Sequence, residues 1–314
     1  MKAVYYERYG DADVLRYGDQ PEPDLKPDQI MVRVRASSVN PVDWKARQGH
    51  LLPVSGLSFP KIPGRDIAGD VVNVGPEVTR FTVGDKVFGM LNDGLGNANA
   101  ELASLSEKVA APIPANLDYQ QAAAVPLAAY TALQALRDKG ELQPGEKVLI
   151  NGASSGVGSF AVQIAKVLGA SEITAVVGPN NVALAKELGA DQVINYKEQD
   201  FTAHKDRYDL IFDAVGMNSY SASKDSLREK GRYVTTVPNL KDVVSGPVSV
   251  FTDKKMKTVW AEANGIDLAL LGEWLEAGKV KPLIDRTFPL AETAEAHRYS
   301  EKGHAVGKIV LVVE

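Results

Sequence analysis

The sequence predicts an α/β protein in which a small β-barrel is joined to a doubly wound parallel sheet. Three observations carry this prediction. Up to Pro114, Pro and Gly recur with short Val- and Ile-rich runs between them. After Pro114, apolar strands alternate with amphipathic helices. One of those strands, Lys147–Asn151, runs straight into a turn of small residues and then a helix. Short strands with dense turn signals argue for an all-β module. Strands alternating with helices argue for a parallel sheet covered on both faces. A chain of 314 residues, at roughly 150 residues per domain, makes about two such units.

Taken in order, Met1–Tyr6 reads as a short strand, and Ile30–Arg35, Ile67–Val74 and Lys86–Phe88 as further strands of the first module. Tyr119–Arg137 reads as one helix. It contains the longest apolar stretch, Ala122–Leu136, which is shorter than the about 20 residues of a membrane span and so reads as a buried helix. Val157–Leu168 and Asn181–Leu188 read as helices, each ended by a glycine, Gly169 and Gly189. Glu172–Val177, Gln192–Asn195, Asp209–Asp213 and Arg232–Thr236 supply the remaining strands of the parallel sheet. The last third adds helices near Gly265–Ala277 and Glu292–Lys302 and a final strand, Lys308–Val313.

Composition narrows the chemistry. Thirty-five Lys and Arg against 40 Asp and Glu give a net charge of −5, which offers no electrostatic reason to bind nucleic acid or an anionic membrane. With neither a leader-like apolar segment nor a span, the expected location is the cytoplasm. The chain has no Cys, which excludes disulfides, thiolate nucleophiles and any zinc or iron–sulfur site that needs Cys ligands. Its four histidines, His50, His204, His297 and His304, show no ligand spacing with carboxylates and are expected on the surface or in packing.

The strongest local signal is Lys147-Val148-Leu149-Ile150-Asn151-Gly152-Ala153-Ser154-Ser155-Gly156-Val157-Gly158. Small residues let a backbone approach a pyrophosphate, and free N–H groups at a helix start stabilise its charge. The alternative is a tight strand–helix turn that holds nothing, but the β/α units on either side favour a dinucleotide. Ala153, Ser154, Ser155, Gly156 and Val157 are the candidate contacts, with Val215 at a later strand end. An NAD site places an acid at the end of the second strand to hold the ribose 2′-OH. Here that segment is Val177-Gly178-Pro179-Asn180-Asn181, with no acid, so NADPH is favoured over NADH. It holds no Arg or Lys either, and Gly178, Asn180, Asn181 and the hydroxyl of Tyr196 are the available contacts.

Several segments together resemble a known group. They are Ser38-Val39-Asn40-Pro41-Val42-Asp43-Trp44-Lys45, Pro63-Gly64-Arg65-Asp66-Ile67-Ala68-Gly69, Val83-Gly84-Asp85-Lys86-Val87-Phe88-Gly89, Ala123–Ala132, the glycine turn and Gly307-Lys308-Ile309-Val310. In order and spacing the chain resembles the zinc-independent quinone oxidoreductases and enone reductases of the medium-chain dehydrogenase/reductase superfamily. The resemblance covers essentially the whole chain. It implies a Rossmann domain at 119–264 inserted into a GroES-like barrel made of 1–118 and completed by 265–314. It also implies that Lys45, Thr131 and Lys308 approach the cofactor, and that the chain is a homodimer in which Val248–Phe251 and Lys257–Trp260 pair as edge strands. Relatives often carry Gly at Ser155 and a Ser-Thr-Arg run at 178–180; here Ser155 instead offers a hydroxyl to the pyrophosphate.

In the zinc-dependent relatives a ligand Cys stands at Asn40 and a ligand His at Arg65. Neither replacement binds zinc as those residues do. Without a Lewis acid, hydride must go to an acceptor that spreads the negative charge itself, a quinone or an α,β-unsaturated carbonyl. Hydrogen-bond donors still stabilise the developing oxygen anion. The loop Asn40–Lys45 offers the Lys45 ammonium and the Asn40 amide, with a solvated surface lysine as the other reading of Lys45. Asp43 and Arg65 are expected to fix this loop by charge pairing. Thr131 either bonds near the nicotinamide or bonds its own backbone. Loops after Gly49 and at Gly94–Asn99 are expected to shape the pocket. Tyr220-Ser221-Ala222-Ser223-Lys224 imitates the Tyr-x-x-x-Lys pair of short-chain dehydrogenases, but it follows the glycine turn too closely and is expected on an exposed helix face. The sequence therefore points to a metal-free, NADPH-dependent reductase of quinones or enones. A dedicated enoyl reductase and a dinucleotide-binding sensor without turnover are the alternatives.

Overall fold

Hydrophobic alternation and glycine punctuation build two large sheets of different kinds, one in each of two units. The computed structural model describes residues 1–92, 94, 96–237, 249 and 252–314. The first unit comprises Met1–Leu127, Glu262–Gly278 and Pro282–Glu314. Strands β1 (Lys2–Tyr5) and β2 (Arg16–Asp19) form a hairpin. Strands β3 (Gln29–Val39), β4 (Asp66–Val74), β5 (Lys86–Met90), β6 (Leu102–Ser106), β7 (Ala110–Pro112), β14 (Ile284–Pro289) and β15 (Lys308–Val312) form a sheet in the order β14-β15-β3-β4-β5-β7, with β6 also on β3. Ile30, Val32 and Val34 of β3 lie at alternate positions and are buried with Ile67, Val71, Val87, Leu105, Ile309 and Leu311 in one core. Gly69 is required where β3 and β4 approach, because a Cβ there would meet the Arg33 carbonyl oxygen at 2.0 Å.

Two features of this unit position the site. Strand β3 runs to Val39, beyond the expected Arg35, and delivers the chain directly to Asn40. The expected loop Asn40–Lys45 is instead the start of a helix, α1 (Pro41–Arg47). Pro41 has its φ preset for the first helical position, and the Asp43 carboxylate accepts the Asn40 N–H at 2.7 Å. A second short helix, α2 (Leu52–Ser55), follows. Strand β15 then pairs antiparallel with β3, Ile309 opposite Val39, which brings Lys308 to Asn40 from the far end of the chain.

The single helix expected over Tyr119–Arg137 is divided. It forms α3 (Tyr119–Ala123), α4 (Pro126–Leu133) and a π-helical stretch, Gln134–Lys139. Pro126 has no N–H to continue the ladder and its ring clashes with the preceding turn, so a new helix begins there. The first unit accordingly extends to Leu127 rather than residue 118, because α3 packs on β3 and β4.

The second unit comprises Ala128–Ala261 and Lys279–Lys281. Strands β8 (Lys147–Asn151), β9 (Glu172–Val177), β10 (Gln192–Asn195), β11 (Tyr208–Asp213), β12 (Leu227–Thr235) and β13 (Lys255–Thr258) form an all-parallel sheet among the described residues, ordered β10-β9-β8-β11-β12-β13. The order reverses between β8 and β11, the point where doubly wound sheets open a crevice for ligands. Helix α5 (Gly156–Val167) follows β8, and α6 (Val182–Glu187) follows β9 after a 3₁₀ turn at Pro179–Asn181. Gly169 has φ +86° and Gly189 φ +109°, as the glycine stops imply.

The Tyr220–Lys224 imitation needs correction in one respect. Helix α7 (Tyr220–Ser223) is a single turn whose tyrosine is buried, not exposed, and whose hydroxyl donates to the Lys254 carbonyl at 2.7 Å. Lys224 faces solvent. Helices α8 (Gly265–Glu276) and α9 (Thr293–Glu301) complete the first unit. Of the proposed dimer strands, Val248, Val250 and Phe251 lie outside the described residues, as does Leu95 of the Gly94–Asn99 loop; among the described residues β13 is an edge of its sheet.

Candidate active site

In the first unit a buried polar centre forms where β3, β4 and β15 meet. Asp66 opens β4 and is wholly buried. Its Oδ2 accepts the Ser38 hydroxyl at 2.6 Å and the Asn40 amide Nδ2 at 2.8 Å, and lies 3.4 Å from the Lys308 ammonium. Its Oδ1 accepts the Leu127 N–H at 2.8 Å, a donor freed because it sits in the first turn of α4. Lys308 also donates to Asn40 Oδ1. Asn40 is thus bonded through both ends of its amide, to an anion on one side and a cation on the other. A buried carboxylate facing one ammonium is costly unless its other lone pairs are filled; here three further donors fill them.

Helix α1 carries the rest of this centre. Asp43 is buried and its carboxyl is pushed up to about 7 by burial, with the Asp66 charge adding to the rise and the Asn40 N–H, Lys308 and Arg65 opposing it. Arg65 interacts with Asp43 through its field; its guanidinium donates to the Leu91 carbonyl at 3.2 and 3.3 Å. The expected direct charge pair is replaced by that backbone bond. Lys45 is half-buried, its ammonium 5.5 Å from the centroid of the Trp44 ring, and burial lowers its pKa. Such a lysine gives up a proton more readily than a solvated one. The other end of α1 is anchored on α9: Arg47, fully buried, pairs with Glu301, and the Trp44 indole donates to Ser300 at 3.2 Å. His297 of α9 is buried and held down to about 3, first by burial and then by Arg47, so it is a packing residue. His50, His204 and His304 are exposed.

The second unit brings the glycine-turn candidates together at the C-terminal ends of β8, β9, β10 and β11. Gly152 has φ +77°, and a Cβ there would meet Val215 at 2.4 Å, so Val215 closes directly over the turn. Gly158 packs on the turn from within the helix, where a Cβ would meet the Gly152 carbonyl at 2.1 Å. Ser155 caps α5, its hydroxyl oxygen accepting the Gly158 N–H at 3.1 Å. The N–H groups of Gly156 and Val157 begin the helix and have no carbonyl one turn back. Ser154 accepts from Asn181 Nδ2 at 3.1 Å, which ties the end of β9 to the turn, while Asn180 is exposed. Open N–H donors, small side chains and the positive end of a helix dipole suit a pyrophosphate. Thr131 is buried on α4.

Sequence reasoning did not single out two of the organising residues. Asp66 appeared only inside a motif, and Asp213 only as a strand end. Asp213 is buried and accepts from Asn151 Nδ2 at 3.0 Å, from the Val215, Gly216 and Asn218 N–H groups and from the Tyr233 hydroxyl. It shapes the turn carrying Val215. A lone Asp closing an apolar strand was the available signal.

Comparison with known proteins gives matches to two families. Residues 26–115 match the family described as alcohol dehydrogenase GroES-like domain, and residues 188–311 match zinc-binding dehydrogenase. The chain is 35% identical to the chloroplastic quinone-oxidoreductase QR1 of Triphysaria versicolor, over 99% of this chain and 98% of that one. It is 35% identical to the chloroplastic NADPH-dependent alkenal/one oxidoreductase of Arabidopsis thaliana, covering 99% of this chain and 79% of that one. The solved quinone oxidoreductase of Coxiella burnetii superposes with a TM-score of 0.93 at 33% identity, over 100% of this chain and 99% of that one. The chain belongs to the medium-chain dehydrogenase/reductase superfamily and, within it, to the group of quinone oxidoreductases and enone reductases. Chloroplastic relatives show that a cytoplasmic address is not a trait of the group. Among the described residues no helix is long and apolar enough to cross a membrane.

One family name mentions zinc, and the residues here do not fit it. Asn40 is bonded to an ammonium, Arg65 is a cation, and among the described residues no three His, Asp or Glu side chains converge. A second cation placed beside Lys308 would meet like-charge repulsion at low dielectric.

Proposed function

We propose that this chain is an NADPH-dependent oxidoreductase that reduces quinones or the C=C bond of α,β-unsaturated carbonyls without a metal. The observation that carries the reading is the Lys308 ammonium bonded to Asn40, at the position where zinc relatives hold a ligand. A fixed protein cation there supports acceptors that delocalise their own charge. The names of the relatives, quinone oxidoreductase and alkenal/one oxidoreductase, support the same substrate class.

NADPH, when bound, supplies a hydride. The chain's own residues bind and orient. The Gly156 and Val157 N–H groups and the Ser155 hydroxyl hold the pyrophosphate, with Ala153 and Gly178 leaving room for the backbone approach. Asn180, Asn181 and Tyr196 line the adenosine end, and Thr131 the nicotinamide end. Lys45, with a proton made more available by burial, donates to the cofactor or to the oxygen that gains charge. Asn40 orients Lys308 and thereby the local field. We also infer a homodimer.

The test is NADPH consumption by the purified, chelator-treated protein with a panel of quinones and a panel of enones. Turnover on either panel, undiminished by the chelator, is the expected result. Cofactor binding without turnover on any acceptor would make the chain a sensor, and turnover on one conjugated thioester alone would make it a dedicated enoyl reductase. In the same assay Lys45→Ala lowers kcat/KM by about tenfold or more, the loss of one charged hydrogen bond; an unchanged value removes Lys45 from the site.

A further inference from the structure

The second strand of the parallel sheet ends without any charged residue, which leaves open what grips a 2′-phosphate. A phosphomonoester dianion is poorly held by amides alone and calls for a cation. Gly178–Asn181 holds none, and the Asn181 amide is already turned inward to Ser154 at 3.1 Å. The neighbouring strand provides one. β10 pairs with β9 in parallel register, Asn195 opposite Val177, and the Tyr196 N–H continues the ladder to the Val177 carbonyl at 3.1 Å. Tyr196 therefore leaves β10 level with Gly178. Its ring lies against that glycine, 3.5 Å from where a Cβ would stand.

Lys197 follows at once, in the turn after β10, and its ammonium sits 5.3 Å from the centroid of the Tyr196 ring. Both residues are exposed. Among the described residues no carboxylate pairs with the Lys197 ammonium. A cation–π contact at an exposed site is weak, so this ammonium stands beside the Tyr196 ring without being neutralised there.

We propose that Lys197 is the residue that selects NADPH over NADH, its ammonium pairing with the 2′-phosphate at the joint end of β9 and β10 while the Tyr196 ring positions it. Tyr196 acts on the phosphate through its hydroxyl and on Lys197 through its ring. The inference rests on the NADPH reading of the cofactor turn and deepens it by naming the selecting group.

Equilibrium binding of NADPH and NADH to the full-length protein tests it without requiring turnover. For the wild type, tighter binding of NADPH than of NADH is the expected result; equal affinities overturn the NADPH reading itself. For Lys197→Ala, NADPH affinity falls by about ten- to a hundredfold, the loss of one charge-assisted contact, and NADH affinity is unchanged. Lys197→Arg retains the preference. Tyr196→Phe gives a smaller loss confined to NADPH. A Lys197→Ala protein that binds NADPH as the wild type does overturns the assignment while the NADPH reading stands. An equal loss for both cofactors also overturns it, because NADH carries no 2′-phosphate.

Discussion

The two candidate regions treat their polar groups in opposite ways. Around Asp66 every partner is already present: a hydroxyl, an amide, a backbone N–H and an ammonium converge on one buried carboxylate. Around Gly152–Gly158 the donors are left open, with N–H groups at a helix start and an exposed Asn180, Tyr196 and Lys197 at the rim. The Asp66 carboxylate is satisfied by the protein alone and so contributes to folding. The second region keeps donors that no protein group fills, so an anion that bound there would draw its affinity from them. A site whose hydrogen bonds are complete in the free protein offers a preorganised field, whereas one with open donors offers binding energy.

This contrast can be broken at its strongest point first. Replacing Asp66 by Ala leaves the Ser38 hydroxyl, the Asn40 amide and the Leu127 N–H without their acceptor, and Lys308 without its countercharge, in a buried place. Removing one partner of a buried ion pair costs about 3–5 kcal/mol, and denaturant unfolding at neutral pH measures it. A loss below about 1 kcal/mol would mean that the centre is hydrated and behaves as a surface pair.

The next effect is pH dependence at Asp43. Its carboxyl titrates at about 7 in the folded protein and near about 4 when unfolded. Between those values the folded state keeps a proton that the unfolded state has lost. The stability Asp43 contributes is therefore complete below about pH 4 and declines as pH rises through about 7. Asn cannot titrate, so the stability of the wild type relative to Asp43→Asn falls over that interval, on the order of 4 kcal/mol. Melting temperatures of both proteins across the range measure the difference, and parallel curves would refute it.

The smallest change falls in the open region. Gly158→Ala forces a methyl against the Gly152 carbonyl. Overpacking of this kind costs about 1–3 kcal/mol. Because it shifts the turn that presents the donors, NADPH binding weakens by about tenfold or more. Calorimetric titration reads the affinity, and unfolding reads the stability. If affinity holds while stability falls, the turn is structural only.

Legibility followed the same division. The parallel sheet was readable because strands buried on both faces are continuous apolar runs, as in Lys147–Asn151 and Glu172–Val177, and because Gly169 and Gly189 mark helix ends. The helix ranges differed from expectation by a residue or so. Tyr119–Arg137 misled because its composition is helical throughout and the interruption depends on one missing N–H at Pro126. β14 escaped notice because Ile284-Asp285-Arg286-Thr287-Phe288-Pro289 is a largely exposed edge strand with polar residues. The glycine turn was visible since local sequence alone builds it. The Asp66 centre was not, because its members come from β3, β4, α4 and β15, and only the register of β15 on β3 unites them. Asn40 was expected to offer its amide to substrate, whereas both ends of that amide are bonded within the protein.

The pairing of Lys308 with Asp66 spans 242 residues of chain. On the ribosome, synthesis proceeds from the N-terminus, so Asp66 is made long before its ammonium exists. The second unit, apart from Lys279–Lys281, is complete by Ala261 and can fold while the barrel still lacks β15. Until Lys308 emerges, the nascent barrel would have to bury a carboxylate without its countercharge, which keeps it open. The chain thus lets the second unit fold first, because the barrel closes only once β15 has been translated.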